Sequence, residues 1–131
     1  MKEKRIIRYR DKIDFIVSSM ESIPEKLKGG LEISGAFYRL HTSIEAAMDL
    51  VAMVLKDTGK KIEDDYTNIE SLKESGIITE ELSVKLKECN GLRNYLVHRY
   101  DKVEDKIALS SIGEVRETLY GFVEVVEKFL K

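Results

Sequence analysis

Three residue types in the stretch Gly91 to Tyr100 could do chemistry, and their spacing is the first thing to weigh. Arg93 carries a fixed fork of five N–H donors that matches carboxylate or phosphate oxygens. His98, five positions later, has the one side chain whose unperturbed proton affinity lies near neutrality, so it can give or take a proton. Tyr100 follows two residues on and adds a phenolic hydroxyl. Besides His98 the chain has only one other histidine, His41. A positively charged fork, a proton carrier and a hydroxyl point towards an anionic ligand handled with proton transfer.

The elements that must position these groups are helices. At 3.6 residues per turn, Leu82, Leu86, Cys89, Leu92, Leu96 and Val97 share one apolar arc. Arg93 and Tyr100 fall inside that arc, whereas His98 and Asn94 lie on the opposite, polar side. A guanidinium within an apolar stripe needs a partner or a task. Glu45 is the candidate partner, because it sits on a helix flank otherwise made of Tyr38, His41, Met48 and Ala52. Such a pair is open to two readings, a structural ion pair or a clamp that holds the arginine for phosphate. Arg93 and His98 lie about 140° apart on an ideal helix, so one chain converges them on one phosphate only by reach, helix deformation or a second subunit.

Apolar positions three and four apart predict helices elsewhere too. Ile6, Tyr9, Ile13, Ile16 and Met20 mark one from Glu3 to Met20, ended by Pro24 and Gly29-Gly30. A long one from Leu31 to Lys56 has the seam Ile33, Phe37, Leu40, Ile44, Ala47, Val51 and Val54, with Gly59 as its stop. Lys60 to Asp65 is expected to be loop. A short helix from Asn68 to Ser75 is expected behind a capping box of Thr67 and Glu70, with Gly76 ending it. Thr79 is the N-cap of the helix that carries the Arg93 motif to about His98. Asp101 to Asp105 is expected to be a charged turn. The last helix, seam Ile112, Val115, Leu119, Phe122, Val126 and Phe129, starts between Lys106 and Ser111, where Ser111 and Glu114 could form a second capping box. The fold class is therefore all-α: an antiparallel four-helix bundle with one additional short helix, one domain over residues 1–131.

Composition excludes several functions. The 22 basic and 24 acidic residues leave a net charge of −2, which argues against binding of duplex DNA by a basic surface. The basic residues of the first helix are diluted by acidic neighbours and suit a solvated face. The single cysteine, Cys89, rules out an internal disulfide framework, suits a small core residue and fits a reducing, cytoplasmic setting. No apolar run is long enough to cross a membrane, and no metal or cofactor motif is present.

Arg93-Asn94-Tyr95-Leu96-Val97-His98-Arg99-Tyr100 matches R-x4-H-x-Y with a polar residue after the arginine, and in this the chain resembles the HEPN superfamily, within it the HepT-like toxins. The segment Gly35 to Leu50, with Arg39, Leu40 and Glu45, is similar to that family's long second helix, and Ser71 to Thr79 to its short element with a Gly-Ile turn. The resemblance implies a metal-independent endoribonuclease of a type VII-like toxin–antitoxin system, without cofactor. Its substrate would be RNA, and the motifs of a homodimer would face one cleft. It assigns Arg93 and His98 as the catalytic pair, with Asn94 and Glu45 positioning the phosphate or supporting the arginine. Tyr100 corresponds to the tyrosine that a minimal nucleotidyltransferase antitoxin modifies with AMP to silence the toxin. One histidine per chain is few for two proton transfers, and a two-fold dimer would supply a second. Gly91, on the face of His98, would allow close approach of a partner or a phosphate. The alternative is a non-catalytic helical subunit that binds a minimal nucleotidyltransferase.

Overall fold

Apolar seams at helical spacing, with no sustained period-two alternation, give six helices in a computed structural model that describes residues 1–99 and 106–131. They are α1 (Glu3–Glu21), α2 (Gly30–Asp57), α3 (Asp65–Glu74), α4 (Glu80–Arg99), α5 (Lys106–Ser110) and α6 (Ile112–Leu130). The all-α class stands, but the count exceeds four long helices and one short. The additional helix is α5, a single turn set off from α6. Both Ser110 and Ser111 turn their hydroxyls back onto the Ile107 carbonyl, at 2.9 and 2.8 Å. That competes with continuation of the helix.

The directions of three helix pairs follow from their cross-links. Arg5 meets Asp57 and Lys12 meets Asp49, both at 2.9 Å, so α1 and α2 run antiparallel. Tyr9 packs at a tilt against Phe129, ring centroids 6.1 Å apart, while Arg116 donates to the Met20 carbonyl at 3.0 Å, so α6 is antiparallel to α1 as well. Glu70 accepts from Lys87 at 2.6 Å and Asp65 lies 3.8 Å from Arg93, which makes α3 and α4 an antiparallel pair. The centre is filled by Tyr9, Ile16, Met20, Phe37, Leu40, Ile44, Leu50, Leu55, Ile69, Leu72, Leu86, Leu119 and Phe122, all fully buried. Burial of this apolar surface is the main stabilising term.

The helix ends show where local signals won and lost. Gly59 and Gly76 take φ of +75° and +77°, and the next residues donate back across the end, Lys60 to the Leu55 carbonyl at 2.8 Å and Ile77 to that of Leu72 at 3.0 Å. Left-handed glycines close α2 and α3, as expected. Thr79 caps α4 through its Oγ1, which accepts from the Leu82 N–H at 3.1 Å. The capping box expected at Thr67 and Glu70 does not form. Asp64 is the N-cap instead, accepting from the Thr67 N–H at 2.8 Å, so α3 starts earlier than Asn68 and Asp65 is helical rather than loop. Glu70 is drawn away by Lys73 and Lys87, each at 2.6 Å. The Ser111–Glu114 box is likewise absent: Ser111 caps its own preceding turn and Glu114 faces Lys85 at 3.4 Å. Among the described residues no helix is long and apolar enough to cross a membrane. The charged turn expected at Asp101 to Asp105 lies outside the described residues.

Candidate functional site

Helix α4 carries the candidate groups, and its register differs from a simple apolar stripe. Its buried residues are Ser83, Leu86, Cys89, Asn90 and Leu96, whereas Val97 is exposed. The side facing the bundle is therefore centred nearer Asn90 and Arg93 than the apolar residues alone implied. Val97 does not belong to it: it is exposed although the adjacent Leu96 is buried.

Arg93 reaches out of this face between α2 and α3. Its Nη2 donates to the Asn94 side-chain oxygen at 3.0 Å and lies 3.8 Å from Asp65 Oδ2. Its Nη1 lies 3.8 Å from Glu45 Oε1. Glu45 in turn stands beside His41, whose Nε2 is 3.0 Å from Oε2 one helical turn away. The result is a chain of polar groups from His41 through Glu45 to Arg93, Asn94 and Asp65, drawn from three helices. The arginine side chain is 21% exposed and Glu45 is 49% exposed, so the guanidinium is walled on the protein side and open on the other. Both carboxylates stand beyond hydrogen-bond length, which lets a phosphate oxygen compete for the same N–H groups.

Helix geometry offered Glu45 as a neighbour of Arg93 but put Asn94 on the opposite, polar side; in the structure both side chains meet the guanidinium. The sequence reasoning missed Asp65 because the segment Lys60 to Asp65 reads as loop. The signal that could have found it is the Asp64-Asp65 pair ahead of Thr67, with Asp64 the better N-cap. It also left His41 without a role, although its spacing of four from Glu45 on one helix face makes the pair. His98 is exposed near the end of α4, away from the buried face. Tyr100 lies outside the described residues. A Cβ at Gly91 would meet Tyr66 Oη at 3.5 Å, an ordinary contact, so packing inside the chain does not demand glycine there.

Cys89 takes no part in this cluster. It is buried between α4 and α6, and burial pushes its thiol up to about 12 although Thr118 bonds to it. That is the state of an inert core thiol, not a nucleophile. Among the described residues no group of three or more His, Cys, Asp or Glu side chains is placed to hold a metal ion.

A profile of the family described as "Ribonuclease HepT-like" matches residues 5–126. The chain belongs to the HepT-like ribonuclease family. Two relatives from Archaeoglobus fulgidus, each named "Putative RNase", are 54% identical over 95% of this chain and 94% of theirs, and 34% identical over 92% and 95%. Among solved structures, the chain is similar in fold to one of a mutant toxin–antitoxin pair MntA-HpeT. The TM-score is 0.82 at 20% identity, covering 92% of this chain and 98% of that one. It is also similar to a tri-AMPylated Shewanella oneidensis HEPN toxin in complex with an MNT antitoxin, with a TM-score of 0.73 at 20% identity over 98% and 99%. These last two likenesses concern the fold of a HepT-like domain, not its partners.

Proposed function

We propose that this HepT-like protein is a metal-independent endoribonuclease, the toxin of a toxin–antitoxin pair, acting as a homodimer on RNA. The observation that carries the reading is the half-open clamp on Arg93, a guanidinium fixed by Asn94, Glu45 and Asp65 with one side free, on the helix that also exposes His98. Family membership supports the same assignment.

The chemistry follows from those groups. A base takes the proton of a 2′-hydroxyl, the 2′-oxygen attacks the adjacent phosphorus, and the 5′-oxygen leaves with a proton from an acid. The products are a 2′,3′-cyclic phosphate and a 5′-hydroxyl end. His98 of one protomer serves as base and the His98 of a two-fold mate as acid, since one imidazole per chain cannot do both at once. Arg93 donates to the non-bridging oxygens as negative charge builds on the phosphorane. Glu45 and Asn94 hold its plane until the phosphate takes their place on Nη1 and Nη2, with His41 beside Glu45. A nucleotidyltransferase partner would silence the enzyme by transferring AMP from ATP to the Tyr100 hydroxyl, with release of pyrophosphate. The neighbours solved as toxin–antitoxin complexes, one of them AMPylated, support that partner class.

Incubation of purified protein with RNA in excess EDTA tests the reading. Wild type is expected to cleave and His98→Ala to lose cleavage by at least about a hundredfold, the scale of general acid–base catalysis. Equal cleavage by both proteins would remove His98 from the chemistry. A second reading, a non-catalytic subunit that binds a nucleotidyltransferase, is favoured by the two carboxylates already paired with Arg93. It requires a stable complex with such an enzyme and no growth arrest when this chain is expressed alone.

A further inference from the structure

One turn before Arg93 on α4 stands Asn90, a polar residue on the core side of the helix. It is 2% exposed, among the buried Leu86, Cys89 and Leu96 of the same helix. Its side-chain oxygen Oδ1 is buried and has no hydrogen-bond partner among the described residues. The same is true of the Nε–H of Arg93, whose Nη groups are the ones engaged by Asn94 and the two carboxylates. One orphan is an acceptor and the other a donor. Residues three apart on a helix are neighbours, with Cβ atoms about 5–6 Å apart.

Two complementary buried atoms left unpaired on residues one helical turn apart are costly for a fold to keep. Leucine would fill nearly the same volume at position 90 and remove the unpaired oxygen. Polar groups retained at such a cost are frequent where a site must hold or switch a side chain. We infer that Asn90 is a positioning residue for Arg93: when the guanidinium turns to take a phosphate, its Nε–H pairs with Asn90 Oδ1. This rests on the ribonuclease reading of the site. The pairing has a geometric consequence. With Nε–H turned inwards, the phosphate is gripped end-on by Nη1 and Nη2, and the contacts of these groups to Glu45, Asn94 and Asp65 are the ones exchanged. Asn90 thereby replaces on the protein side what the substrate removes on the open side.

The test compares wild type, Asn90→Leu and Asn90→Asp, the last retaining the acceptor oxygen. Arginine side-chain NMR follows the Arg93 Nε–H with and without a 2′-O-methylated oligoribonucleotide, which cannot be cleaved. In wild type and Asn90→Asp the Nε–H signal is expected to shift and to exchange more slowly on adding the oligonucleotide, and in Asn90→Leu to do neither. In steady-state cleavage Asn90→Leu is expected to lose roughly tenfold in kcat with KM little changed, the scale of one lost hydrogen bond to a charged group. Its melting temperature is expected to equal or exceed that of wild type. Cleavage by Asn90→Leu equal to wild type, or the same Nε–H response in both, would overturn the assignment of Asn90 alone. A wild type that cleaves no RNA would instead remove the site reading on which it rests.

Discussion

Arg93 Nη1 and Glu45 Oε1 lie 3.8 Å apart across the α4–α2 contact, and the other oxygen of Glu45 is 3.0 Å from His41 Nε2. The carboxylate is thus shared between the arginine and a histidine of its own helix. Glu45 is half exposed, so its Coulombic attraction is screened and its contribution to stability is small. Its value lies in direction: it limits the rotations open to the guanidinium.

That division predicts a separation of activity from stability. Glu45→Gln is expected to change stability by no more than the effect of an exposed pair, about 0–1 kcal/mol, while lowering RNA cleavage several-fold through kcat. Thermal denaturation and steady-state kinetics on the same preparation check it. A fall in stability as large as the fall in activity would make the pair a structural one.

The opposite pattern is expected where α1 meets the end of α2. Asp57 accepts from Tyr9 Oη at 2.6 Å and from Arg5 Nε at 2.9 Å, and Arg5 also lies over the Tyr9 ring, 5.5 Å from its centroid. Burial raises the Asp57 carboxyl, but the bonds from Arg5 and Tyr9 outweigh it and hold the group below its ordinary value of 3.8. Burial, then the bond to Asp57, pushes the Tyr9 phenol well above its ordinary range, so it stays a donor. A carboxyl lowered in the folded state contributes stability above the unfolded value, and that contribution is lost as pH falls through the folded one. Tyr9→Phe is therefore expected to cost about 1.5–3 kcal/mol near neutral pH, the range for a hydrogen bond to a charged group. The gap between wild type and Asp57→Asn should be constant above about pH 5 and close at lower pH. Denaturant unfolding over a pH series measures both.

Cys89 offers a check on packing. With its thiol pushed up to about 12 by burial, it is expected to resist a thiol reagent at pH 8 in the folded protein and to react at once in denaturant. Rapid labelling without denaturant would mean that the α4–α6 contact opens readily, since Cys89 and Thr118 lie inside it.

Much of this molecule is legible from residue order alone. The seams of Tyr9, Ile13 and Ile16, of Phe37, Leu40 and Ile44, and of Val115, Leu119 and Phe122 are buried as their spacing requires, because helical period and burial are tied to the same geometry. Gly59, Gly76 and Thr79 mark their helix ends because a left-handed turn or a cap is a local requirement. The string from Arg93 to His98 marks a candidate site for the same reason: its residue types and their spacing are local facts.

What residue order could not settle was which of several local options a third element would take. Thr67 and Glu70 had the spacing of a capping box, yet Lys87 on α4 claims Glu70, and Asp64 caps the helix instead. Serines 110 and 111 split the last helical stretch through hydroxyls that had two competing uses. Asp65 joins Arg93 only because α3 and α4 lie antiparallel, and His41 joins the cluster only because Glu45 is already there. The sequence by itself determined the helices, their buried faces and the residues able to do chemistry, since each of these depends on neighbours along the chain. Tertiary structure alone decided the long-range partners of Arg93, Glu45 and Asp65, because such charge pairing is set by how helices distant in sequence come to lie side by side.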